Sequence, residues 1–422
     1  MPEFLYIHIP FCIQKCIYCD FFSVPYDESA AKKYVEGLCR ELFLKKDSVN
    51  TLRTIYIGGG TPSVLPDECF RQLFQCLRNN FHLSPSVEIT VEANPGTINE
   101  SNINTLLSLG VNRLSIGIQS FDNDELRTLG RIHTLEDSIH SIDLIKKAGM
   151  KNFSIDLMYG IPGQTNESWH DSISKAFGFS PTHISTYELT LEEKTPLYGL
   201  IKSNEIKMPD EDLILQMYNH AIDYLVSCGY EHYEISNFAL SGFRCIHNLN
   251  YWDRGEYIGV GAGAHSFANG VRLKNIEDID MYIENVKNGI ILKIETSKLL
   301  PEEAMKEFIF LGLRKTEGIH INELPFSITV IYNTCHSAPP QADDAESMDS
   351  CFRRNDLFKL EANIQERLLC KLEEFGIKIP EASKELIDEG YLEIDGEYLR
   401  LTRKGIVISN TVIVKLFEQL GL

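Results

Sequence analysis

"FLYIHIPFCIQKCIYCDFFS", residues 4–23, runs from a β-branched and aromatic stretch straight into a loop with cysteines at 12, 16 and 19. The alternation over Phe4–Ile9 predicts a strand that ends where the cysteines begin. Three thiolates in C-x3-C-x2-C spacing make a tight ligand set, yet no fourth cysteine follows, and Phe21 stands two residues beyond the last. Structural zinc takes four ligands in a closed tetrahedron, and the nearest candidate for a fourth is His8, on the strand itself. A [4Fe–4S] cluster held by three thiolates leaves one iron open to a small molecule. Zinc and plain core cysteines are the competing readings, and the tight spacing favours the cluster.

Outward from this loop the same pattern repeats. "RTIYIG" (53–58), "VEITVE" (87–92), "NRLSIGI" (112–118), "NFSIDLM" (from 152) and "HISTYEL" (183–189) are short strand-like runs. Helical patterns intervene at 28–46, from about Pro66, from a cap near Asn99 and around 167–178. Six units in strict alternation imply parallel strands with right-handed crossovers. Curling one way, they make an α/β fold of the partial (β/α)6 barrel type; an open doubly wound sheet is the alternative. Polar and Gly residues gather past the strand ends: the cysteines, "GGGTPS" (58–63), Glu92, Gln119, Asp156 and Glu188. "GGGTPS" lacks the GK[ST] ending of a phosphate-binding loop; its glycines would let backbone approach a ligand closely.

Beyond a helix at 211–228, the Gly-rich aromatic stretch 245–270 reads as non-helical, and 275–325 as helical. Residues 336–356 are polar and aperiodic, an expected mobile insertion. The tail reads as helix, hairpin turning at Asp395-Gly396, and helix, a winged-helix-like unit with a packing or partner-docking role. The expected division is a barrel over 1–205, a barrel extension over 206–325, an insertion over 326–360 and the winged unit over 361–422.

A net charge of −20 excludes a nucleic-acid binder, which needs clustered Lys and Arg. No apolar run approaches the roughly 18 residues of a membrane span. No signal segment is visible, so the expected location is cytoplasmic. Eleven cysteines, an odd number without an export signal, argue against disulfides; the eight outside the loop are scattered singly.

The loop, with Tyr18 before its third cysteine, resembles the radical S-adenosylmethionine superfamily. That resemblance implies a partial (β/α)6 barrel in which the open iron is chelated by the methionine moiety of S-adenosylmethionine. "LYIHIPFCIQKCIYCDF", "IYIGGGTPS", "EANPGT", "RLSIGIQSF", "LGRIH" and "DLMYGIPGQ" are similar to the coproporphyrinogen III dehydrogenase branch, in order from residue 5 to about 190. The resemblance implies that Cys12, Cys16 and Cys19 hold the cluster. It likewise implies that Tyr6, Tyr18, Gly59, Gly60, Thr61, Glu92, Gln119, Arg131 and Asp156 line the S-adenosylmethionine site. Chemically, Glu92 suits the ammonium, Gln119 and Asp156 the ribose, and Arg131 the carboxylate.

Dehydrogenases of this branch continue to a fourth cysteine, where this chain has Phe21. That departure resembles the sister group, the HemW-type haem chaperones, as does "HNLNYW" (247–252). The resemblance implies haem held by His247 with Asn248, Tyr251 and Trp252: imidazole can ligate iron and aromatics can pack on the macrocycle. His265 is a second candidate ligand, and a buried aromatic-core histidine is the plain reading of His247. The implied function is haem chaperoning, with haem passed to acceptor haemoproteins such as respiratory cytochromes. A homodimer, and an electron donor if radical chemistry operates, are compatible with this class. The alternatives are an oxygen-independent coproporphyrinogen III dehydrogenase and an acidic interaction protein with a structural metal.

Overall fold

The computed structural model describes residues 1–320 and 381–420; the insertion expected at 336–356 lies outside the described residues. Six strands pair in chain order, each parallel to the next: β1 (Phe4–Ile9), β2 (Leu52–Gly59), β3 (Leu83–Ala93), β4 (Arg113–Gln119), β5 (Phe153–Tyr159) and β6 (His183–Glu188). Sequential order rules out the doubly wound alternative, in which strand order reverses at a switch point. Helices α1 (Glu28–Lys45), α2 (Asp67–Asn80), α3 (Glu100–Ser108), α4 (Leu135–Lys147) and α5 (Asn166–Gly178) carry the chain back between strands.

Alternation sets the faces. Leu5, Ile7 and Ile9 of β1 are wholly buried in the core with Tyr34 and Leu38 of α1. Tyr6 and His8 take the opposite face, toward the barrel interior, by the same period of two. Local chemistry starts the helices promptly. Asp27 accepts from the Ala30 amide, and Asn99 and Thr165 form reciprocal capping boxes with Asn102 and Ser168.

After α6 (Glu211–Ser227) come β7 (Glu231–Glu234) and β8 (Asn237–Ala239); β8 pairs antiparallel with the β6 edge and β7 antiparallel with β8, while β9 (Ile258–Val260) lies parallel beside β1. The nine-stranded sheet runs β9-β1-β2-β3-β4-β5-β6-β8-β7. Two readings of this region need correction. Within 245–270, α7 (Ile246–Trp252) is helical. Its cap is long-range: the Glu88 carboxylate of β3 accepts the Ile246 and His247 amides at 3.0 and 3.1 Å, so no local signal announces it. Within 275–325, helix α8 (Ile279–Lys287) is joined by a strand, β12 (Lys293–Lys298), which pairs with β11 (Val271–Asn275) and, through it, β10 (His265–Ala268). Ile294 and Thr296 are β-branched, and the open edge of β11 gives them a partner.

The chain forms two compact units, Met1–Leu299 and Leu300–Leu422. Residues 206–299 therefore belong with the barrel, whose sheet they complete. The second unit has α9 (Pro301–Gly312), β13 (Ile319–His320), α10 (Glu381–Asp388), β14 (Leu392–Asp395), β15 (Tyr398–Leu401), α11 (Arg403–Val407) and α12 (Ser409–Leu420). Its sheet order is β13-β15-β14, with Gly396 at φ +61° in the expected turn. That is the winged-helix-like arrangement of helix, hairpin and helix.

Candidate cofactor site

The cysteine loop leaves β1 and is pinned along its length by backbone bonds. The Val24 and Tyr26 amides donate to Pro10 O at 2.7 Å and Cys12 O at 2.9 Å. Ile17 N–H reaches Leu129 O at 3.3 Å, and Leu197 N–H reaches Ile17 O at 2.9 Å. Ile17 and Tyr18 pack on a buried cluster of Leu129, Met158, Ile161, Leu189 and Leu197. Residues 13–15 are exposed, whereas Cys12, Cys16 and Cys19 are half-buried. Cys12 and Cys16 both act electrostatically on the Cys19 thiol, which burial pushes up. Burial likewise raises the Tyr18 phenol, beside Cys16 and Arg131.

The glycines after β2 are required by the protein itself. A Cβ on Gly58 would fall 2.8 Å from the Glu92 carboxylate, and one on Gly60 2.7 Å from Phe11 O. Gly59, at φ +113°, leaves room for the His8 ring. Thr61 closes the stretch: its amide donates to Phe11 O at 2.8 Å and its hydroxyl to Cys12 Sγ at 3.6 Å. The loop that follows β2 is thus the bed on which the cysteine loop lies.

Four polar groups face the rim beside it. Glu92 accepts from Tyr56 OH at 2.8 Å and the Gly59 amide at 3.1 Å. Burial nevertheless pushes it up to about 7, against both bonds. Arg131 donates to Cys16 Sγ at 3.4 Å, Asn94 Oδ1 at 2.7 Å and Gly117 O at 2.5 Å. Gln119 sits at φ +68°, where the β4–β5 register slips; a non-Gly residue in that region is strained. Asp156 accepts from Ser115, Ser154 and Ser185 at 2.8, 2.8 and 2.7 Å, while burial raises its pKa against those bonds. A pocket lined by Ile13, Cys16, Thr61, Asn94, Arg131 and His133 opens beside the loop.

The donor set fits a cluster with one open iron better than a zinc ion. His8 is no fourth ligand, because Nδ1 bonds Tyr6 OH and Nε2 bonds Phe22 O, both at 2.9 Å. Phe21 is 64% exposed and offers no donor side chain. Three thiolates without a fourth protein ligand leave a structural zinc tetrahedron incomplete but leave a four-iron cluster with its one open iron.

The H-N-x-x-Y-W residues lie off this rim, with the Tyr56 ring standing between His247 and Glu92. Helix α7 lies at the opposite, amino-terminal end of the strands, against Thr54 of β2 and Glu88 of β3. His247 is 1% exposed, its Nδ1 on Thr54 Oγ1 at 2.6 Å and its Nε2 on Tyr251 OH at 2.9 Å. Burial pushes it down to about 3, so the ring is neutral. Asn248, Tyr251 and Trp252 are half-buried on the same helix. In this arrangement both imidazole nitrogens are engaged and neither is offered to an iron. His265 is exposed at the start of β10. The neighbouring Gly-rich turn is a core loop: the Gly261 amide donates to buried Glu41 at 2.8 Å, and a Cβ at Gly259 would strike His265 O.

Several interior residues escaped the sequence reading. Tyr56, Asn94, the three serines around Asp156, and Arg113, the cation facing Glu88, Glu92 and Asp156, all take part. Ser115 and Arg113 alternate with core residues on β4, and that inward period was the available signal.

A parallel six-stranded barrel with a three-cysteine loop at its carboxyl-end rim defines a class, the radical S-adenosylmethionine proteins, and residues 6–176 match the Radical SAM superfamily. Among solved structures, the chain superposes on coproporphyrinogen III oxidase (HemN) from Escherichia coli, a radical SAM enzyme, with TM-score 0.74 and 19% identity. That match covers 98% of this chain and 89% of the other, and at this identity it speaks for the fold alone. Closer in sequence is the heme chaperone HemW of Lactococcus lactis, 38% identical over 322 residues, 76% of this chain and 84% of that protein. HemW of Bacillus subtilis is 37% identical over 319 residues, 74% and 84% of the two chains, and HemW of Escherichia coli is 40% identical over 272, 63% and 70%. The chain belongs to the HemW family. Among the described residues, no helix is long and apolar enough to cross a membrane.

Proposed function

We propose that this chain is a haem chaperone that carries a [4Fe–4S] cluster on Cys12, Cys16 and Cys19, holds S-adenosylmethionine at the rim, binds haem and delivers it to acceptor haemoproteins, respiratory cytochromes among them. The observation that carries this reading is a loop with three thiols, His8 committed elsewhere, and exposed Phe21 where the dehydrogenases have a fourth cysteine. Relatives named heme chaperone HemW, aligned over three quarters of the chain, support the haem assignment.

Bound there, the cluster would supply an open iron for the methionine moiety and an electron for its sulfonium. Glu92, aimed across the rim by Tyr56 and Gly59, would pair with the ammonium. Arg131 would hold a carboxylate, and Asp156 and Gln119 would receive the ribose hydroxyls, with Tyr6, Gly59, Gly60 and Thr61 shaping the walls. Tyr18 would pack beside the cluster. Axial ligation by His247 would require α7 to release its bonds to Thr54 and Tyr251; His265, at the start of β10, is the second candidate ligand. Location in the cytoplasm remains part of this reading.

The test is anaerobic reconstitution, haem titration with and without S-adenosylmethionine, and transfer to an apo-haemoprotein. Saturable haem binding and transfer are expected. Turnover of coproporphyrinogen III without haem transfer would replace this reading with the dehydrogenase.

A further inference from the structure

Tyr56 links the two ends of the barrel. Its hydroxyl donates to Glu92 at 2.8 Å on the rim side, while its ring lies over His247, 5.1 Å between centroids at 29°. The Tyr6 ring also stands beside it, 6.3 Å away at 28°. The imidazole is held at both nitrogens by Thr54 and Tyr251, and its backbone amide by Glu88. It is a fixed flat surface under a flat ring. Thr54 and Tyr56, two apart on β2, face the same side, so one strand aligns the whole stack.

We propose that His247 is a positioning residue for Glu92, acting through Tyr56, so that the H-N-x-x-Y-W helix sets how firmly the rim holds an ammonium group. This rests on the assignment of Glu92 to S-adenosylmethionine. Offset ring contacts of this kind favour one orientation over free rotation. With His247 replaced by a side chain that is not flat, Tyr56 loses the surface that keeps its hydroxyl on Glu92. The carboxylate then keeps the Gly59 amide alone among the donors described.

The consequence is readable in pH. The groups facing Glu92 are Tyr6 of β1, Tyr56 and the Gly59 amide of β2, Arg113 of β4, Asp156 of β5, Tyr187 of β6 and Tyr251 of α7. Tyr56 and Gly59 favour the charged form, and burial and Asp156 oppose it. Weakening the Tyr56 bond therefore raises the pH above which Glu92 is charged and able to pair with an ammonium.

The experiment measures S-adenosylmethionine binding by calorimetry on cluster-loaded protein from pH 6 to 9, for wild type, Tyr56→Phe, His247→Leu and His247→Phe. Leucine fills volume without a flat face; phenylalanine keeps one. Tyr56→Phe and His247→Leu should each weaken binding about tenfold near pH 7.5, the weight of a hydrogen bond to a charged group, and move its pH midpoint upward. His247→Phe should stay within about twofold of wild type. Tyr56→Phe opens no cavity, so it reports even if His247→Leu fails to fold. Unchanged affinity and midpoint in Tyr56→Phe, or His247→Phe behaving like a folded His247→Leu, overturns the proposal. A cluster-loaded wild type that binds no S-adenosylmethionine overturns instead the assignment of Glu92 beneath it.

Discussion

The Arg131 guanidinium stands 3.4 Å from Cys16 Sγ while its Nη2 holds Asn94 Oδ1 at 2.7 Å and Gly117 O at 2.5 Å. One side chain thus fastens the cysteine loop to the ends of β3 and β4. Its fork geometry is essential, because a lysine ammonium presents a point charge and cannot span three acceptors. Arg131→Lys should retain iron and sulfide but bind S-adenosylmethionine about tenfold more weakly. Calorimetry on iron-loaded protein decides this, and equal affinity would remove Arg131 from the site. Cys16→Ala, by contrast, should lose the cluster outright, measured as iron and acid-labile sulfide per chain.

Glu92 should make the fold less stable as pH rises. Its folded pKa of about 7 lies above the ordinary 4.5, so the native state keeps a proton that the unfolded chain has released between these values. Stability attributable to this group is therefore complete below about pH 4.5 and lost as pH climbs through 7. Glu92→Gln should match wild type near pH 4.5 and exceed it by about 3 kcal/mol at pH 8. Urea unfolding at the two pH values measures the difference; a pH-independent gap refutes the argument.

Gly60→Ala should displace the cysteine loop. The new Cβ would meet Phe11 O at 2.7 Å and Ile9 O at 3.0 Å, backbone atoms with no rotamer to escape into. A loss of about 2–3 kcal/mol is expected. Gly178→Ala serves as the control: like Gly60 it lies outside the positive-φ region, but a Cβ there meets nothing within 4 Å. If Gly60→Ala retains more iron after reconstitution than the control, the loop does not rest on residue 60.

His247 should contribute to acid sensitivity. Its pKa of about 3 lies below the ordinary 6.5, so stability from this group is present above pH 6.5 and lost as pH falls toward 3. His247→Phe gives up the Thr54 and Tyr251 bonds and should be less stable at pH 7. It should nonetheless lose about 1–2 kcal/mol less than wild type between pH 7 and pH 5. Parallel acid limbs for the two proteins would contradict a buried neutral imidazole.

The barrel strands were legible because their signal is local. Phe4–Ile9 and His183–Glu188 are short runs rich in β-branched and aromatic residues that nearly give their own ends, and the Asn99 cap marks its helix by side-chain chemistry three residues long. Helix α7 was not legible, since its cap is a carboxylate 158 residues away, and β12 needed the edge of β11 to become a strand. The rim residues Glu92, Gln119 and Asp156 could be placed from strand ends alone. Their partners Tyr56, Asn94 and Ser185 could not, because hydrogen bonds across a curled sheet depend on which strands become neighbours.

The amino-acid order by itself determined the alternating units, the three-thiol loop and the absence of a cysteine at Phe21, since each depends on spacing along one segment. Tertiary structure decided that His8 and His247 spend both ring nitrogens on protein partners, and that the motif helix seals the barrel end opposite the cysteines. Spacing counts residues along the chain, whereas a side chain's free lone pairs are settled by whatever the closed barrel brings within about 3 Å of it.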